Sequence, residues 1–360
     1  MRFTKPLLLF ICLLIASVSG IKANEKTPSQ APEKEAFNPK ELIFHHISDA
    51  YEWHITTIGE TQISIPLIVI VYSQTTGLHT FISSEFHHGT QPYDGFKIAH
   101  EGENKGKVVE ILPNGSEKRP LDISITKNVI SLFISIILLL YIFLSISRRY
   151  SQNFARAPKG IQSWMEPLII FIRDDVAKSA IGEKYAKYLP YLLTIFFFIF
   201  INNLLGLVPM FPGGANLTGN IAVTMVLALF TFTITTFSGS KDYWTHMINM
   251  PGVPWWLKLP IPLMPVLEIM GVFIKPLVLM IRLFANITAG HIVALGFYCL
   301  IFIFGQKNIF AGYGVSVVSI LFTIFMALIE LLVAFIQAYV FTLLSALYFG
   351  MALETHSEHK

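Results

Sequence analysis

The residues whose types and spacing promise chemistry are Glu268, Lys275, Arg282, His291 and Glu330. With Asn286 and Gln337, they lie inside two long apolar stretches. An ionisable side chain in the hydrocarbon core of a bilayer costs several kcal/mol, and such groups mark ion or proton pathways. Internal ion pairs that merely hold helices together are the plainer alternative. Glu268, Lys275 and Arg282 recur every seven residues and so fall on nearly one helix face, drifting about 20° per step. Arg282, Ala285, Asn286, Ala289, Val293 and Gly296 share a face of a 3.6-residue helix. Around the arginine that face is mostly small, which lets another helix approach closely. His291 points about 180° away from Arg282 and serves a different part of the site.

A guanidinium holds its proton even when poorly solvated. Arg282 is therefore suited to be a fixed positive barrier that favours the anionic form of a carboxylic acid brought near it. Lysine is a weaker barrier, since it can lose its proton when desolvated. His291 beside Glu330 is suited to passing protons near neutral pH. A carboxylate raises an imidazole pKa and burial lowers it, and the residues alone leave that balance open. If the two stretches form an antiparallel hairpin with its turn inside KNIFAGYG, the register sets Arg282 near Gln337 and His291 near Glu330.

Such groups need a membrane-embedded scaffold. Of the 360 residues, 53% are hydrophobic and only 14% are charged, against about 25% charged in ordinary globular domains. That balance excludes a polar-surfaced soluble enzyme and a disordered chain. The bases are scattered over loops rather than gathered on one face, so nucleic acid is not an expected partner. Cys12 and Cys299 both sit in apolar runs, and no disulfide framework is expected.

Length and hydropathy predict an all-α polytopic membrane protein of about five membrane helices. The first covers residues 123–147. A membrane hairpin covers 188–238, with spans near 189–208 and 217–237 around the turn PMFPGGAN, and a long hairpin covers 262–353. Its two arms, of about 43 and 40 residues, would each reach about 60 Å as helices, twice the ~30 Å of hydrocarbon. They must tilt strongly, kink or run partly outside the bilayer, and Pro276 offers a kink point. Arg148, Arg149, Arg156 and Lys159 place the 148–187 loop in the cytoplasm. Its segment GIQSWMEPLIIFIRDDVAKSAIG reads as an amphipathic helix along the inner surface. The loop 239–261, also cytoplasmic, carries Trp244, Trp255, Trp256 and Lys258, an interfacial mix. The tail 354–360 follows on the same side.

Residues 1–23 have a basic start, an apolar run and small residues near Ala23, the layout of a signal peptide; a first anchor helix is the alternative. Residues 24–122 then lie outside the cytoplasm. Residues 24–125 hold 14 of the 23 acids but only 8 of the 26 bases, which leaves the membrane part net basic and fits an inside–outside split. A Pro/Glu/Lys-rich tether opens this external, periplasmic region. The run Ile63 to Tyr72, with Gly77 and LHTFISSEF behind it, predicts a β-hairpin in a small β-containing domain. His45, His46, His54, His87 and His88 with Asp49 match no metal-site spacing, and no metal or cofactor is expected.

The segments KPLVLMIRLFANITAGHIV and ELLVAFIQAYVFTLLSALYFGMALE closely resemble subunit a of the membrane sector of F-type ATP synthases, in a bacterial form with an enlarged external domain. NNLLGLVP and NLTGNIAVTMVLAL are similar to that family as well, so the resemblance covers roughly residues 123–355, with IFHHISD further upstream. It implies a stator against which a ring of c subunits turns, with two offset half-channels leading protons to and from the ring's carboxylates. Arg282 matches the family's essential arginine. His291 and Glu330 match the polar pair of the half-channel open to the outside, a pair that some relatives carry with acid and histidine exchanged. Gln337 and Asn286 match polar neighbours of the arginine, Asn203 a polar position on the second span, and Glu268 an acid on the inner exit path. The implied partners are the c-ring, the peripheral-stalk b subunits, other ATP synthase subunits, membrane lipid and protons. The implied location is the bacterial inner membrane, with the mature N-terminus outside and the C-terminus cytoplasmic.

No P-loop is present, so nucleotide chemistry falls to other subunits and the chain is not an enzyme by itself. A self-contained secondary transporter is the alternative reading, but no repeated halves are evident. An intramembrane enzyme using His291 and Glu330 as acid and base has no HExxH, nucleophile-elbow or paired-aspartate motif behind it.

Overall fold

The structure, a computed structural model, describes residues 39–354 apart from 41–42, 44–46, 59–60, 153–156, 209–212 and 249–262. The expected signal sequence, the tether, His45, His46, most of the PMFP turn, Trp255, Trp256, Lys258 and the tail beyond 354 lie outside the described residues.

The region ahead of the first long helix folds into small antiparallel sheets. β1 (Glu52–Ile58) pairs with β2 (Thr61–Pro66). β3 (Ile68–Ser73) lies between β4 (Gly77–Ile82) and β8 (Leu121–Asp122), while β6 (Val108–Ile111) lies between β5 (Phe96–Ile98) and β7 (Glu117–Lys118). The β3–β4 hairpin is the one the sequence announces. The run from Ile63 to Tyr72 is nonetheless two strands, because Pro66 closes β2 and lacks the N–H a central strand needs. Leu67, buried between them, hands its own N–H to the Ser83 hydroxyl at 3.0 Å. Alternation along β3 and β4 turns Val69, Val71 and Phe81 inward, where they meet Tyr51, Phe86, Phe96 and Val108 in one core.

One acid is buried in that core. Glu110 accepts from the Ser73 hydroxyl at 2.7 Å and from Thr75. The Thr75 bond, above all, holds its carboxyl below the ordinary range, with Ser73 adding to the effect and burial opposing it. A depressed carboxylate pKa contributes stability that is present above the unfolded pKa and is lost as pH falls through the folded value. Glu110→Gln is therefore expected to weaken the sheets by about 1.5–3 kcal/mol at neutral pH. It should also remove part of their acid sensitivity below about pH 4.3. Hydrogen exchange of residues 68–111 in the intact complex, followed against pH, reads both effects; an unchanged profile refutes the role.

No linker separates sheet from helix. The amides of Ile123 and Ile125 donate to the carbonyls of Ile70 and Ile68, each at 2.9 Å, and α1 (Lys127–Gln152) opens two residues later. Its first turn is capped from far upstream: Asp49 Oδ1 accepts the Asn128 amide at 3.1 Å, and the Ala50 carbonyl accepts that of Lys127 at 2.9 Å.

After α1 comes α2 (Ile161–Phe171), which runs on through a π-helical stretch, Ile172–Lys178, to Ser179–Ile181. Then follow α3 (Tyr185–Leu207), α4 (Ile221–Ser238), α5 (Lys241–Ile248), α6 (Leu263–Lys307) and α7 (Ile309–Leu353). Among the described residues, 5 helical segments are long and apolar enough to cross a membrane: Lys127–Ser151, Ile161–Leu207, Ile221–Ser238, Val266–Gln306 and Gly312–Leu353. The main core centres on α3, whose Leu192, Phe196 and Phe197 pack with Leu279 and Leu283 of α6 and with Phe341 and Phe349 of α7.

α6 and α7 are 45 residues each, about 68 Å at 1.5 Å per residue. Only Asn308 separates them, and its side chain caps α7 through the Phe310 amide at 2.9 Å. KNIFAGYG is thus helical on both sides of a one-residue joint. Such a tight joint needs glycine: a Cβ on Gly312 would lie 2.8 Å from Gly305 Cα, so the two backbones touch where side chains would hold them apart. At the opposite end of α7, a Cβ on Gly350 would meet the Ala180 carbonyl oxygen at 2.0 Å, which seats α7 directly on the last turn of α2.

Candidate functional site

Contacts along the α6–α7 hairpin fix its register. Phe297 stacks on Phe322, His291 meets Glu330, Asn286 donates to Gln337, and the Lys275 ammonium lies over the Tyr348 ring at 5.6 Å. The expected neighbour of Gln337 was Arg282. The structure puts Asn286, one turn further along, on the buried Gln337 amide at 2.8 Å. Cysteines at 286 and 337 are therefore expected to crosslink, whereas 288 with 337, about half a turn off, should not. Equal crosslinking of both pairs would refute this register.

His291 Nδ1 lies 3.6 Å from Glu330 Oε1, within ion-pair reach and beyond a direct hydrogen bond. One glycine makes room for the pair and a second borders it. A Cβ on Gly290 would sit 2.8 Å from Glu330 Oε1, and one on Gly206, near the end of α3, would sit 3.7 Å from His291 Nε2. Asn203 belongs to the same region. Its Nδ2 donates to the Ala334 carbonyl, one turn past Glu330, at 3.1 Å, and its Oδ1 accepts from the Thr218 hydroxyl at 2.7 Å. Among the described residues nothing hydrogen-bonds the buried Nδ2 of the neighbouring Asn216, Glu330 Oε1 or the Thr288 hydroxyl. Buried polar atoms of this kind are suited to hydrogen-bonding with water. Thr218, Asn216, Gly206 and Gly290 escape sequence reading, although the run of polar and small residues through PGGANLTGN was a signal that the linker borders something polar.

Arg282 stands apart from this cluster. It is exposed on α6 together with Ala285, Asn286, Ala289 and Val293, the face expected from periodicity. Among the described residues no acid forms an ion pair with it. The small side chains around it leave the guanidinium open to a helix from outside the chain.

Glu268 lies at the other end of α6, 23 positions from His291, about 34 Å along a helix. It is half-buried near Tyr243 of α5, whose phenol is pushed up first by burial and then by the Glu268 charge. A cavity of about 20 Å³ between α4, α6 and α7 has Thr231, Thr235, Thr236, Tyr243, Lys275 and Tyr348 in its wall beside the apolar Phe232, Val272, Pro276 and Met351, and is room for one water. Beside it a hydroxyl chain crosses the helices, Tyr191 to Thr231 at 2.8 Å and Thr231 to Ser345 at 3.2 Å. Two polar regions thus lie towards opposite ends of α6, with Arg282 between them. Of the histidines ahead of α1, His88 pairs with Glu52 at 2.8 Å, and among the described residues no group of three or more His, Cys, Asp or Glu converges.

A family described as ATP synthase A chain matches residues 129–350. The chain belongs to that family. A domain of unknown function matches residues 42–123, the region of the sheets. Among similar members of the ATP synthase A chain family, the protein named ATP synthase subunit a 2 from Chlorobaculum tepidum is 48% identical over 245 residues, 66% of this chain and 66% of that protein. A protein of the same name from Prosthecochloris aestuarii is 48% identical over 246 residues, 66% of this chain and 71% of its own length. ATP synthase subunit a from Myxococcus xanthus is 36% identical over 301 residues, 82% of this chain and 92% of its own. The chain spans about two thirds of the length of the Chlorobaculum relative. ATP synthase A chain membership accounts for the polytopic helical part and leaves the sheets as an addition in front of it.

Proposed function

We propose that this chain is the proton-conducting stator subunit of a rotary F-type ATP synthase in a bacterial inner membrane. In this reading the ring of c subunits runs along the exposed α6 face, and peripheral-stalk b subunits and the remaining ATP synthase subunits complete the machine. His291, Glu330 and Asn203, with Asn216 and Thr218, line the half-channel at the end where the sheets stand, which faces outside. The cavity beside Lys275 and Tyr348, with Glu268 and Tyr243, belongs to the cytoplasmic half-channel. The carrying observation is the Arg282 guanidinium, exposed among small residues, unpaired with any described acid and placed between the two polar regions.

The chemistry follows from charge. A ring carboxylate passing Arg282 is stabilised as its anion and gives up its proton towards the cytoplasmic side during synthesis. It is reprotonated from the Glu330 side before it re-enters lipid. The same fixed charge repels a proton attempting to pass straight from one half-channel to the other. Asn286 and Gln337, bonded to each other, hold α6 and α7 in register just beyond the arginine. ATP chemistry lies on other subunits.

Purification in mild detergent tests the assignment. The protein is expected to arrive with a ring of small two-helix subunits and a soluble ATPase. A lone chain that transports by itself in liposomes would replace this reading with that of a secondary transporter.

A further inference from the structure

The β4–β3–β8 sheet carries a second apolar face, turned away from the core of the external region. The registers set Ile68 beside Ile82 and Tyr72 beside both Leu78 and Leu121. Ile123 prolongs the last strand, bonded to Ile70. Ile68, Tyr72, Leu78, Ile82, Leu121 and Ile123 are between 45% and 65% exposed, whereas the alternate residues Val69, Val71 and Phe81 are buried. A sheet with one face in water alternates apolar with polar. This one does not: apart from Thr80 its outward positions are apolar, and no charged side chain stands among them.

Size and position indicate what covers the face. At roughly 100 Å² apiece the six side chains present about 600 Å², the upper end for the largest patch on a monomer. That is short of the ~800 Å² each partner gives to a standard protein interface, so a second copy of the chain is poorly served. The face instead stands at the membrane boundary. Ile125 is still bonded to Ile68 while α1 opens at Lys127, so the Ile68–Ile82 edge lies about 7 Å of extended chain from the start of the span. Beyond it α1, apolar and long enough to cross a membrane, presents Phe133, Ile136, Ile137 and Leu140 outward.

We propose that this face of the sheet rests on the lipid leaflet that α1 enters. The aliphatic side chains reach the boundary of the acyl chains, and Tyr72 lies at headgroup level, where tyrosine is favoured. The external region is then a membrane-seated footing for α1, a role independent of proton conduction.

The test uses the intact complex reconstituted in liposomes, on a cysteine-free background. An environment-sensitive fluorophore is attached at Leu78→Cys or Leu121→Cys, with Asn114→Cys in an exposed turn as reference. All these positions are exposed in the folded chain, so labelling leaves the core intact. The expected result is a blue-shifted emission at 78 and 121, quenching by nitroxide-labelled phospholipid and protection from aqueous iodide, with the opposite pattern at 114. Iodide quenching at 78 and 121 equal to that at 114 overturns the proposal. So does protection from both quenchers, which would place a protein on the face. ATP-driven pumping by the labelled complex is measured in parallel, so that failure of lipid contact is told apart from failure of the stator assignment.

Discussion

Arg282→Ala is expected to abolish ATP-driven proton pumping while the protein still inserts and assembles. An opposite charge at close range lowers a carboxyl pKa by about 1–3 units. In the proposed reading its removal therefore disfavours the deprotonated form of the passing acid by roughly ten- to a thousandfold and opens a direct leak between the half-channels. The fold should survive, because Arg282 is exposed on α6 and no described acid is left unpaired when it goes. Arg282→Lys should fall in between, since a desolvated ammonium sheds its proton where a guanidinium does not. Dye quenching in inverted vesicles, with the chain quantified by immunoblot, reads both variants. Normal pumping by a properly inserted Arg282→Ala protein would refute the barrier role.

The second large effect concerns His291 and Glu330. Removing a positioned acid or base costs about a hundredfold or more in proton transfer, so Glu330→Gln is expected to reduce proton flow by at least tenfold. Because the two side chains face each other at 3.6 Å with glycines beside both, the exchange His291→Glu with Glu330→His should recover most of what either single change loses. Gly290→Ala should impair flow even though both titratable groups remain. Its Cβ would lie 2.8 Å from Glu330 Oε1 and turn the carboxylate away from the imidazole. Proton conduction through the isolated membrane sector is the measurement. An exchange variant no better than its parents would mean that the two groups act separately.

Much of this arrangement was legible because hydropathy and heptad spacing are strong signals. The exposed face holding Arg282, Ala285, Asn286 and Ala289 followed from a 3.6-residue period alone. The pairing of His291 with Glu330 needed the antiparallel assumption and a turn inside KNIFAGYG. Gln337 takes its hydrogen bond from Asn286, one turn beyond Arg282, and the contact of two glycine backbones at the joint is not visible as a period. The α3–α4 linker was read only as a turn. Nothing local in Asn216 or Thr218 says that a distant helix will bring Glu330 beside them. In the sheets ahead of α1 the β3–β4 hairpin was evident, whereas Pro66 split a run that looked continuous, and the Asp49 cap on α1 joins residues too far apart for any window to connect.

The one-residue joint at Asn308 also limits how this protein can change. Adding a residue there would turn α7 by about 100° and advance it by 1.5 Å relative to α6. Asn286 would lose Gln337 and Glu330 would swing away from His291 in the same event. Sequence drift can lengthen loops elsewhere, but any residue added at the hairpin tip shifts one arm against the other, so its length is as tightly constrained as the charges it aligns.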